Sequence, residues 1–274
     1  MKNNFRELKK IARESRYLIL QAVRAKETHH IGCSFSIVDI LTYLYYRVLH
    51  IDPKNPKKEN RDIFILSKGH AALAVYTVLY QKGFFPKEVY FSYDQDGGHL
   101  PEHIHHQVAG VEVSTGSLGH GLPVGVGIAT SFLNDGKNNK IVVLMSDGEL
   151  NEGSNWEAIM YAAHHKLKNL TAVVDVNGFQ GYAETKKVID LSPLVQKMTT
   201  FGWNVVEADG HDFGSLENAF LALKTGNENK PKMILAKTVK GKGIPFFEGR
   251  FDSHYQSIDE QTKEKLLKDF QANL

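Results

Sequence analysis

Residues 146–153 read Ser146-Asp147-Gly148-Glu149-Leu150-Asn151-Glu152-Gly153 and directly follow the apolar run Ile141-Val142-Val143-Leu144-Met145. A second apolar run ends in Val173-Val174-Asp175-Val176-Asn177. Two strands joined by one helix place their carboxyl ends at the same edge of a parallel sheet, so Asp147 and Asn177 should meet there. Gly148 lets the backbone approach a ligand, and the helix start offers free N–H groups to a diphosphate. The stretch therefore predicts a metal-diphosphate site.

Apolar strand runs alternate with helical patterns along the rest of the chain. Strands are predicted at 63–66, 141–145, 171–176, 203–208 and 233–239, and helices at 5–26, 37–48, 71–81, 118–133, 156–167, 193–201 and 215–225. Helix 156–167 should carry its apolar face on Trp156, Ile159, Met160, Ala163 and Leu167. The alternation predicts an α/β fold, a parallel sheet with helices on both faces, in a single domain over residues 1–274.

Composition narrows the class of protein. The formal net charge of +2 gives no reason to expect a nucleic acid partner, and no stretch reaches the ~20 apolar residues of a membrane span. The single cysteine, Cys33, excludes an internal disulfide. The start, Met1-Lys2-Asn3-Asn4-Phe5-Arg6, leads into a charged helix and lacks an apolar signal core. These features predict a cytoplasmic protein.

The side chains of Asp147 and Asn177 are the predicted metal ligands. Carboxylate and carboxamide oxygens suit Mg²⁺, which demands a roughly octahedral shell, and they also suit Ca²⁺ or Mn²⁺. Taken alone, the two residues fit equally well an Asp that caps a helix and an Asn in a turn. The residues that surround them decide between these interpretations.

Five ordered motifs resemble those of the transketolase family. Asp147-Gly148 and Asn177 resemble the thiamine diphosphate (ThDP) motif, Gly-Asp-Gly followed after a spacer by Asn. The stretches 29–36, 67–71, 111–121 and 237–243 resemble, in order, the family's Gly-His-Pro-Gly-Gly-Ser-Leu-Ser, its Ser-Lys-Gly-His-Ala, its Val-Glu-Val-Ser-Thr-Gly-Ser-Leu-Gly-Gln-Gly, and the strand and loop before a family histidine. The chain is identified as the amino-terminal, diphosphate-binding half of a transketolase-like enzyme.

The resemblance implies roles for specific residues. His30, His70, His103 and His254 are the expected catalytic imidazoles, with His99 as the alternative to His103. ThDP-binding residues are expected at His70, Gly116, Ser117, Leu118, Gly148, Glu152, Asn177 and His254. The metal ligands would be Asp147, Asn177 and the backbone carbonyl of Phe179. Glu152 would also lie at a subunit interface.

Several residues depart from the family pattern or admit a second interpretation. Ser146 replaces a family glycine, and its hydroxyl could bond a phosphate oxygen or crowd it. His120 replaces a family glutamine and could reach the cofactor or simply pack. The cluster His103-Ile104-His105-His106 invites a zinc site, although no Cys lies nearby and no regular i, i+4 helical pair is present. Lys242 could approach phosphate or remain solvated.

The sequence contains no pyrimidine-binding domain and no third domain of full-length transketolases. The resemblance therefore implies one subunit of a split enzyme, which transfers a two-carbon ketol unit between a ketose phosphate and an aldose or aldose phosphate. A partner subunit would carry the missing domains, and two copies of each subunit would form a heterotetramer. The alternatives are the diphosphate-binding subunit of another ThDP enzyme, such as 1-deoxyxylulose-phosphate synthase or a 2-oxo acid decarboxylase or dehydrogenase, and a non-catalytic regulatory subunit.

Overall fold

The computed structural model describes residues 5–226 and 229–272. Five strands form one parallel sheet in the order β1-β2-β3-β5-β4. The strands are β1 (Ile63–Leu66), β2 (Ile141–Ser146), β3 (Leu170–Val176), β4 (Asn204–Asp209) and β5 (Lys232–Lys237). Strands β2 and β3 are neighbours near the middle of the sheet, with Ser146 paired to Asp175. Their carboxyl ends therefore lie side by side, as the sequence predicts.

Eleven α-helices of the described residues surround this sheet. They are α1 (Arg6–Ala22), α2 (Ile31–Ser36), α3 (Val38–Tyr43), α4 (Ala72–Lys82), α5 (Lys87–Tyr90), α6 (Gly121–Asn134), α7 (Gly153–His164), α8 (Thr185–Val188), α9 (Leu194–Thr200), α10 (Phe213–Thr225) and α11 (Glu260–Gln271). A π-helical segment, Leu44–Val48, continues α3, and a short 3₁₀ helix, Gly148–Asn151, precedes α7. No helix in the described part of the chain is long and apolar enough to cross a membrane.

Helices cover both faces of the sheet, because successive strand residues point to opposite sides. On β2, Val142 and Leu144 pack into one core with residues of α1, α3, α4 and α10. Ile141, Val143 and Met145 pack into a second core with residues of α6, α7 and α9. Strands buried on both faces read as continuous apolar runs, which is why β1, β2, β3 and β5 were evident in the sequence. The edge strand β4 is only partly buried and carries a shorter apolar stretch. The predicted α/β fold is confirmed.

The structure corrects several predicted helix bounds. The predicted helix 37–48 is part of a longer, broken series, α2, α3 and the π-helical segment. Helix α6 begins at Gly121 and not at Leu118, because Gly119 has φ +84°, outside the right-handed helical region. Helices α5, α8 and α11 were not predicted. Helices α5 and α8 are single turns, too short for a periodic apolar pattern.

The structure contradicts part of the buried face that the sequence predicted for α7. Met160 is 49% exposed, whereas the buried residues of the helix include Asn155, Ala158, Ile159 and Ala162. Asn155 lies inside because its side-chain amide donates to the carbonyl oxygen of Glu149 at 2.6 Å. Asn155 therefore faces inward and holds the loop that precedes α7. As a result, the buried face of α7 differs from the stripe of apolar residues predicted from the sequence.

Two glycines of α6 provide a matched test of how closely this helix packs on the sheet. A Cβ atom at Gly125 would lie 2.6 Å from Cγ2 of Val143, whereas one at Gly127 would meet no atom within 4 Å. Overpacking costs ~1–3 kcal/mol and alanine gains ~1 kcal/mol over glycine in a helix. We expect Gly125→Ala to lower the free energy of unfolding by about 1 kcal/mol and Gly127→Ala to raise it by about 1 kcal/mol. Urea denaturation measures both, and equal effects would contradict the packing.

Candidate active site

The predicted metal ligands lie side by side at the carboxyl edge of the sheet. The backbone N–H of Asp147, just after β2, donates to the carbonyl oxygen of Asp175 at 3.1 Å. The carboxylate of Asp147 accepts from the N–H of Gly178, which follows Asn177, at 2.9 Å. The loops that follow β2 and β3 are thus joined through Asp147.

Asp147 is a buried carboxylate, and within residues 5–226 and 229–272 no counter-ion contacts it directly. The donors to its oxygens in this part of the chain are neutral: the N–H groups of Gly148 and Gly178 and the hydroxyl of Thr185. Burial and the nearby negative charge of Asp175 raise the pKa of Asp147 to about 6. A divalent cation bound at this carboxylate would relieve that penalty, so the donor set fits the predicted metal.

Asn177 is held in one orientation by hydrogen bonds on both sides of its amide. Its Nδ2 donates to Asp175 at 2.9 Å, and its Oδ1 accepts the N–H of Phe179 at 3.0 Å. The assignment of Oδ1 and Nδ2 follows from this hydrogen-bond network. Phe179 itself lines the cavity above the strand ends. The carboxamide oxygen is therefore kept apart from the buried Asp175 and remains on the side of the predicted ligands.

A buried ion pair beneath Asn177 was missed at the sequence level. Lys68 Nζ lies 2.7 Å from a carboxylate oxygen of Asp175, and both side chains are at most 1% exposed. Ser36 and Thr238 also donate to Asp175. Burial opposes both charges, but each partner stabilises the other, so the pKa of Lys68 is raised and that of Asp175 is lowered. A charged residue inside the apolar run of β3 was the available signal.

Four predicted catalytic imidazoles come together beside this pair. The ring centroid of His30 lies 5.0 Å from that of His70, 5.0 Å from that of His254 and 5.8 Å from that of His103. The centroids of His70 and His254 are 5.2 Å apart. The four residues come from loops and short helices far apart in sequence. His99, the alternative to His103, is not among the residues that line the cavity.

Neighbouring groups fix the orientation of His30. Its backbone has φ 58°, in the left-handed region that is uncommon for residues other than glycine, and its N–H donates to the carbonyl oxygen of His254 at 3.0 Å. The ring Nδ1 lies 3.0 Å from a carboxylate oxygen of Glu102. Such a strained position, held by several contacts, is typical of functional sites. His103 lies at the rim, with its side chain 46% exposed.

Two of the imidazoles are held in the neutral form. Burial lowers the pKa of His70 to about 4. Burial, together with the positive charge of Lys240, lowers the pKa of His254 to about 3. Near neutral pH both rings therefore offer one donor and one acceptor nitrogen, which allows them to give and take protons.

Cys33 and Lys240 line the same cavity and were not predicted as site residues. Lys240 Nζ lies 2.9 Å from Nδ1 of His254, and Cys33 Sγ lies 3.4 Å from that same nitrogen. Both side chains are buried. Burial lowers the pKa of Lys240. Both residues lie inside matched stretches, 29–36 and 237–243, but only the fold brings them to His254.

The buried Glu149 connects the motif stretches 67–71 and 111–121 to the carboxyl end of β2. Its carboxylate accepts from Ser67, from the N–H of Gly119 at 2.9 Å and from the N–H of Ser146 at 3.3 Å. The hydroxyl of Ser146 in turn accepts the N–H of Glu149 at 3.3 Å. The departure of Ser146 from the family glycine is thus accommodated by a local hydrogen bond, beside a cavity that Ser146 also lines.

One cavity of about 520 Å³ connects these residues. This volume lies within the range of small-molecule sites. The predicted residues that line it are His30, His70, His103, Gly116, Leu118, Gly148, Glu152, Asn177, Phe179 and His254. Asp147 lies buried beside Gly148, and Ser117 is exposed and outside the lining. At Gly148 a Cβ would lie 2.6 Å from Cγ of Gln180, so any larger residue would require the Gln180 side chain to move.

Lys68, Lys240 and Asn177 line the cavity, and the carboxylate of Asp147 lies buried next to the lining residue Gly148. The lysines supply positive charge, and Asp147 and Asn177 supply oxygen ligands. A ligand that carries both a diphosphate and a divalent cation matches this division of charge. The cavity therefore fits the predicted cofactor in size and in chemistry.

The remaining candidates lie away from the cavity lining. His106 Nδ1 bonds Ser114 Oγ at 2.8 Å, and among the described residues the cluster at 103–106 does not bring three metal-ligating side chains together. His120 Nδ1 bonds the carbonyl oxygen of Leu118 at 3.1 Å, and its ring is exposed. Lys242 Nζ lies 3.5 Å from Glu248. The zinc interpretation of the histidine-rich loop therefore has no support.

Comparison with known proteins places this geometry in a family. Residues 8–273 match the family model described as "Transketolase, thiamine diphosphate binding domain". The chain belongs to the transketolase family. The predicted family resemblance is thus confirmed, and with it the assignment of a ThDP-binding domain.

Two transketolase relatives have nearly the same length as this chain. The chain is 40% identical to an apulose-4-phosphate transketolase subunit of Actinobacillus succinogenes, with 92% of each protein covered. It is 38% identical to a 6-deoxy-6-sulfo-D-fructose transketolase subunit of a Clostridium species, with 90% of each covered. Both relatives are named as subunits of a transketolase.

The fold also matches that of a solved transketolase. The structure of transketolase from Campylobacter jejuni superposes with a TM-score of 0.90 at 30% identity and covers 98% of this chain. The match spans 43% of the Campylobacter chain, so this chain accounts for less than half of that protein.

Proposed function

We propose that this chain is the diphosphate-binding subunit of a split transketolase, which transfers a two-carbon ketol unit from a ketose phosphate to an aldose or aldose phosphate. One observation carries the proposal. A single cavity combines the carboxamide of Asn177, two buried lysines and four imidazoles, and the buried carboxylate of Asp147 lies next to its lining residue Gly148. This arrangement suits a metal-bound diphosphate beside a reaction that moves protons.

ThDP and Mg²⁺ are the proposed cofactors. Asp147, Asn177 and the carbonyl of Phe179 would hold the metal, with Ca²⁺ or Mn²⁺ as substitutes. The other cofactor-binding residues would be His70, Gly116, Ser117, Leu118, Gly148, Glu152 and His254. When bound, ThDP supplies the carbon nucleophile that transketolase chemistry requires.

The four histidines are the proposed proton donors and acceptors. His70 and His254 stay neutral because burial lowers the pKa of each, so they can donate to or accept from substrate hydroxyl groups near pH 7. Glu102 orients the His30 ring. His103 stands at the exposed rim, where a substrate entering the cavity would meet it first.

A partner subunit that carries a pyrimidine-binding domain would complete the site. Apolar side chains stand exposed around the mouth of the cavity, with Tyr182 82%, Ile189 53% and Tyr255 54% exposed. Exposed apolar groups beside a cavity favour contact with another protein. Glu152, at the edge of the cavity, would face that partner. Two copies of each subunit would form a heterotetramer, placed in the cytoplasm because the single free cysteine suits a reducing compartment.

The donor sugar could be one of several. The relatives are named for apulose 4-phosphate and for 6-deoxy-6-sulfo-D-fructose, so both ketoses are candidates beside xylulose 5-phosphate. The residues that bind the phosphate end of the sugar would lie on the partner subunit. The proposal therefore assigns ketol transfer to the chain and leaves its range of donors to the assay.

Reconstitution tests the proposal. This chain, a candidate partner subunit that carries a pyrimidine-binding domain, and the two mixed would each be assayed with ThDP, Mg²⁺, one of the three ketoses and ribose 5-phosphate. We expect transfer only in the mixture. High turnover by this chain alone would contradict the split enzyme. A mixture that binds ThDP yet decarboxylates a 2-oxo acid would assign the cofactor to a different reaction.

A further inference from the structure

The thiol of Cys33 faces two imidazoles inside the cavity. Its Sγ lies 3.4 Å from Nδ1 of His254, and the rings of His70 and His254 are 5.2 Å apart. One ligand atom from each of the three residues lies within 4.8 Å of the other two. Over residues 5–226 and 229–272, no other group of three His, Cys, Asp or Glu side chains converges in this way. The cluster involves no oxygen ligand and is separate from Asp147 and Asn177.

The spacing is close to that of a tetrahedral metal site. Zinc binds at about 2.3 Å from a cysteine sulfur and about 2.0 Å from a histidine nitrogen, and tetrahedral angles then separate the two ligand atoms by roughly 3.5 Å. The observed separation of Cys33 and His254 is 3.4 Å. All pairs in the cluster lie within 4.8 Å, so a shift of at most about 1.3 Å would bring the widest pair to the same spacing. Three protein ligands leave one position open toward the cavity.

We propose that Cys33, His70 and His254 form a binding site for a soft divalent cation such as Zn²⁺. One sulfur and two imidazole nitrogens prefer such an ion over Mg²⁺, whereas the oxygens at Asp147 and Asn177 have the opposite preference. The protein would then contain two neighbouring metal sites, one that prefers soft cations and one that prefers hard cations such as Mg²⁺.

The protonation states of the three groups favour this site. Burial raises the pKa of the Cys33 thiol, but the positive charges of Lys240 and of neighbouring groups outweigh it and lower the pKa to about 6. The two imidazoles are neutral at the same pH. A thiolate and two neutral imidazoles are the forms that bind zinc, so few protons must leave on binding.

Lys240 occupies the position next to His254 that a bound metal ion would take, and this opposes metal binding. Its Nζ lies 2.9 Å from Nδ1 of His254, the nitrogen that faces Cys33. An incoming cation must displace this amine, and the side chain of Lys240 already lines the cavity. The site is therefore selective for an ion that binds sulfur strongly enough to replace the resident lysine.

Metal at this site would compete with the cofactor. This consequence rests on the proposed function, because it assumes that His70 and His254 contact ThDP. The metal site itself rests only on the three side chains. A soft cation would occupy both imidazoles and push Lys240 into the cavity, so Zn²⁺ and Mg²⁺–ThDP should exclude each other.

The test is metal binding by the purified, metal-free chain. Zn²⁺ would be titrated by calorimetry, and Co²⁺ would serve as a spectroscopic probe because a thiolate ligand adds a sulfur-to-cobalt charge-transfer band. The variants are Cys33→Ser and His254→Gln, with His106→Asn as the control at an exposed histidine outside the cavity. Circular dichroism would verify that each variant is folded.

We expect one ion per chain, the cobalt band in wild type and in His106→Asn, and at least about 100-fold weaker binding in Cys33→Ser, since a serine hydroxyl stays protonated. His254→Gln should also weaken binding, and it keeps the test valid if Cys33→Ser fails to fold. Unchanged affinity in the cavity variants, or a loss confined to His106→Asn, would overturn the site.

Addition of Mg²⁺ and ThDP provides the second readout. A higher apparent Kd for Zn²⁺ would support the overlap with the cofactor, and an unchanged Kd for Zn²⁺ in a chain that binds ThDP would overturn it. A chain that binds Zn²⁺ through Cys33 but never binds ThDP, alone or with the partner, would contradict the proposed function and leave the metal site standing.

Discussion

Asp147→Asn is expected to abolish Mg²⁺-dependent binding of ThDP while leaving the chain folded. Loss of an outer partner of a metal ligand already costs about 10–100-fold in affinity, so loss of the charged ligand itself should cost more than about 100-fold. Calorimetric titration of the variant with ThDP, in the presence and absence of Mg²⁺ and of the partner subunit, measures the change. Retained affinity would contradict the assignment of Asp147 as a metal ligand.

Two opposing effects determine the free energy of unfolding of Asp147→Asn: the removal of a buried negative charge and the loss of a hydrogen bond. The folded pKa of Asp147 is about 6, above the unfolded value near 3.9, so the folded chain holds the proton more tightly than the unfolded chain. Stability should therefore fall as pH rises through this interval, by up to roughly 3 kcal/mol at pH 7. Asparagine removes that cost but leaves one N–H donor without an acceptor, a loss of about 1–3 kcal/mol. The two terms nearly cancel at neutral pH.

Asp190→Asn is the matched control for this prediction. Asp190 lies on the segment between α8 and α9, where it is exposed and outside the cavity lining. The control should bind ThDP as wild type does. A parallel loss of affinity in both variants would indicate that the net charge of the chain, and not a ligand at Asp147, governs binding.

Lys68→Met is expected to lower the free energy of unfolding by about 3–5 kcal/mol, because it leaves the buried carboxylate of Asp175 without its counter-charge. The two residues lie 107 positions apart and are both buried. Asp175 also receives the Nδ2 hydrogen bond of Asn177. The variant should therefore weaken cofactor binding as well, through the orientation of a metal ligand. Denaturation and ThDP titration measure the two effects separately.

The double variant Lys68→Met/Asp175→Asn tests the cause. It removes both charges, so it should recover a large part of the stability that Lys68→Met loses. If the double variant were as unstable as the sum of the single variants, packing and not charge would explain the loss.

Acid provides an independent check on the ion pair. The pKa of Asp175 is lowered in the folded chain, so its stabilisation is complete above the unfolded value near 3.9 and is lost as pH falls through the folded value. The pKa of Lys68 is raised, so its stabilisation is complete below about 10.4 and is lost only at higher pH. The stability gap between wild type and Lys68→Met should be constant near neutral pH and should narrow in acid.

The strands and their ends were the part of the fold that sequence predicted well. A buried parallel strand needs several consecutive apolar residues, and turn or charged residues bound each run. The helices were predicted less well at their ends and on their faces. Gly119 moved the start of α6, and the inward-facing Asn155 turned α7, because contacts with other loops outweighed the local pattern.

The sequence by itself determined the α/β class and the meeting of Asp147 and Asn177, because these depend on local periodicity and on the geometry of neighbouring parallel strands. The motif histidines followed from the resemblance to the transketolase family. Only the tertiary structure brought Lys68 to Asp175, and Cys33 and Lys240 to His254. Those contacts join segments that no local pattern relates. Their pKa values depend on burial and on charges contributed by distant segments, which exist only once the chain is folded.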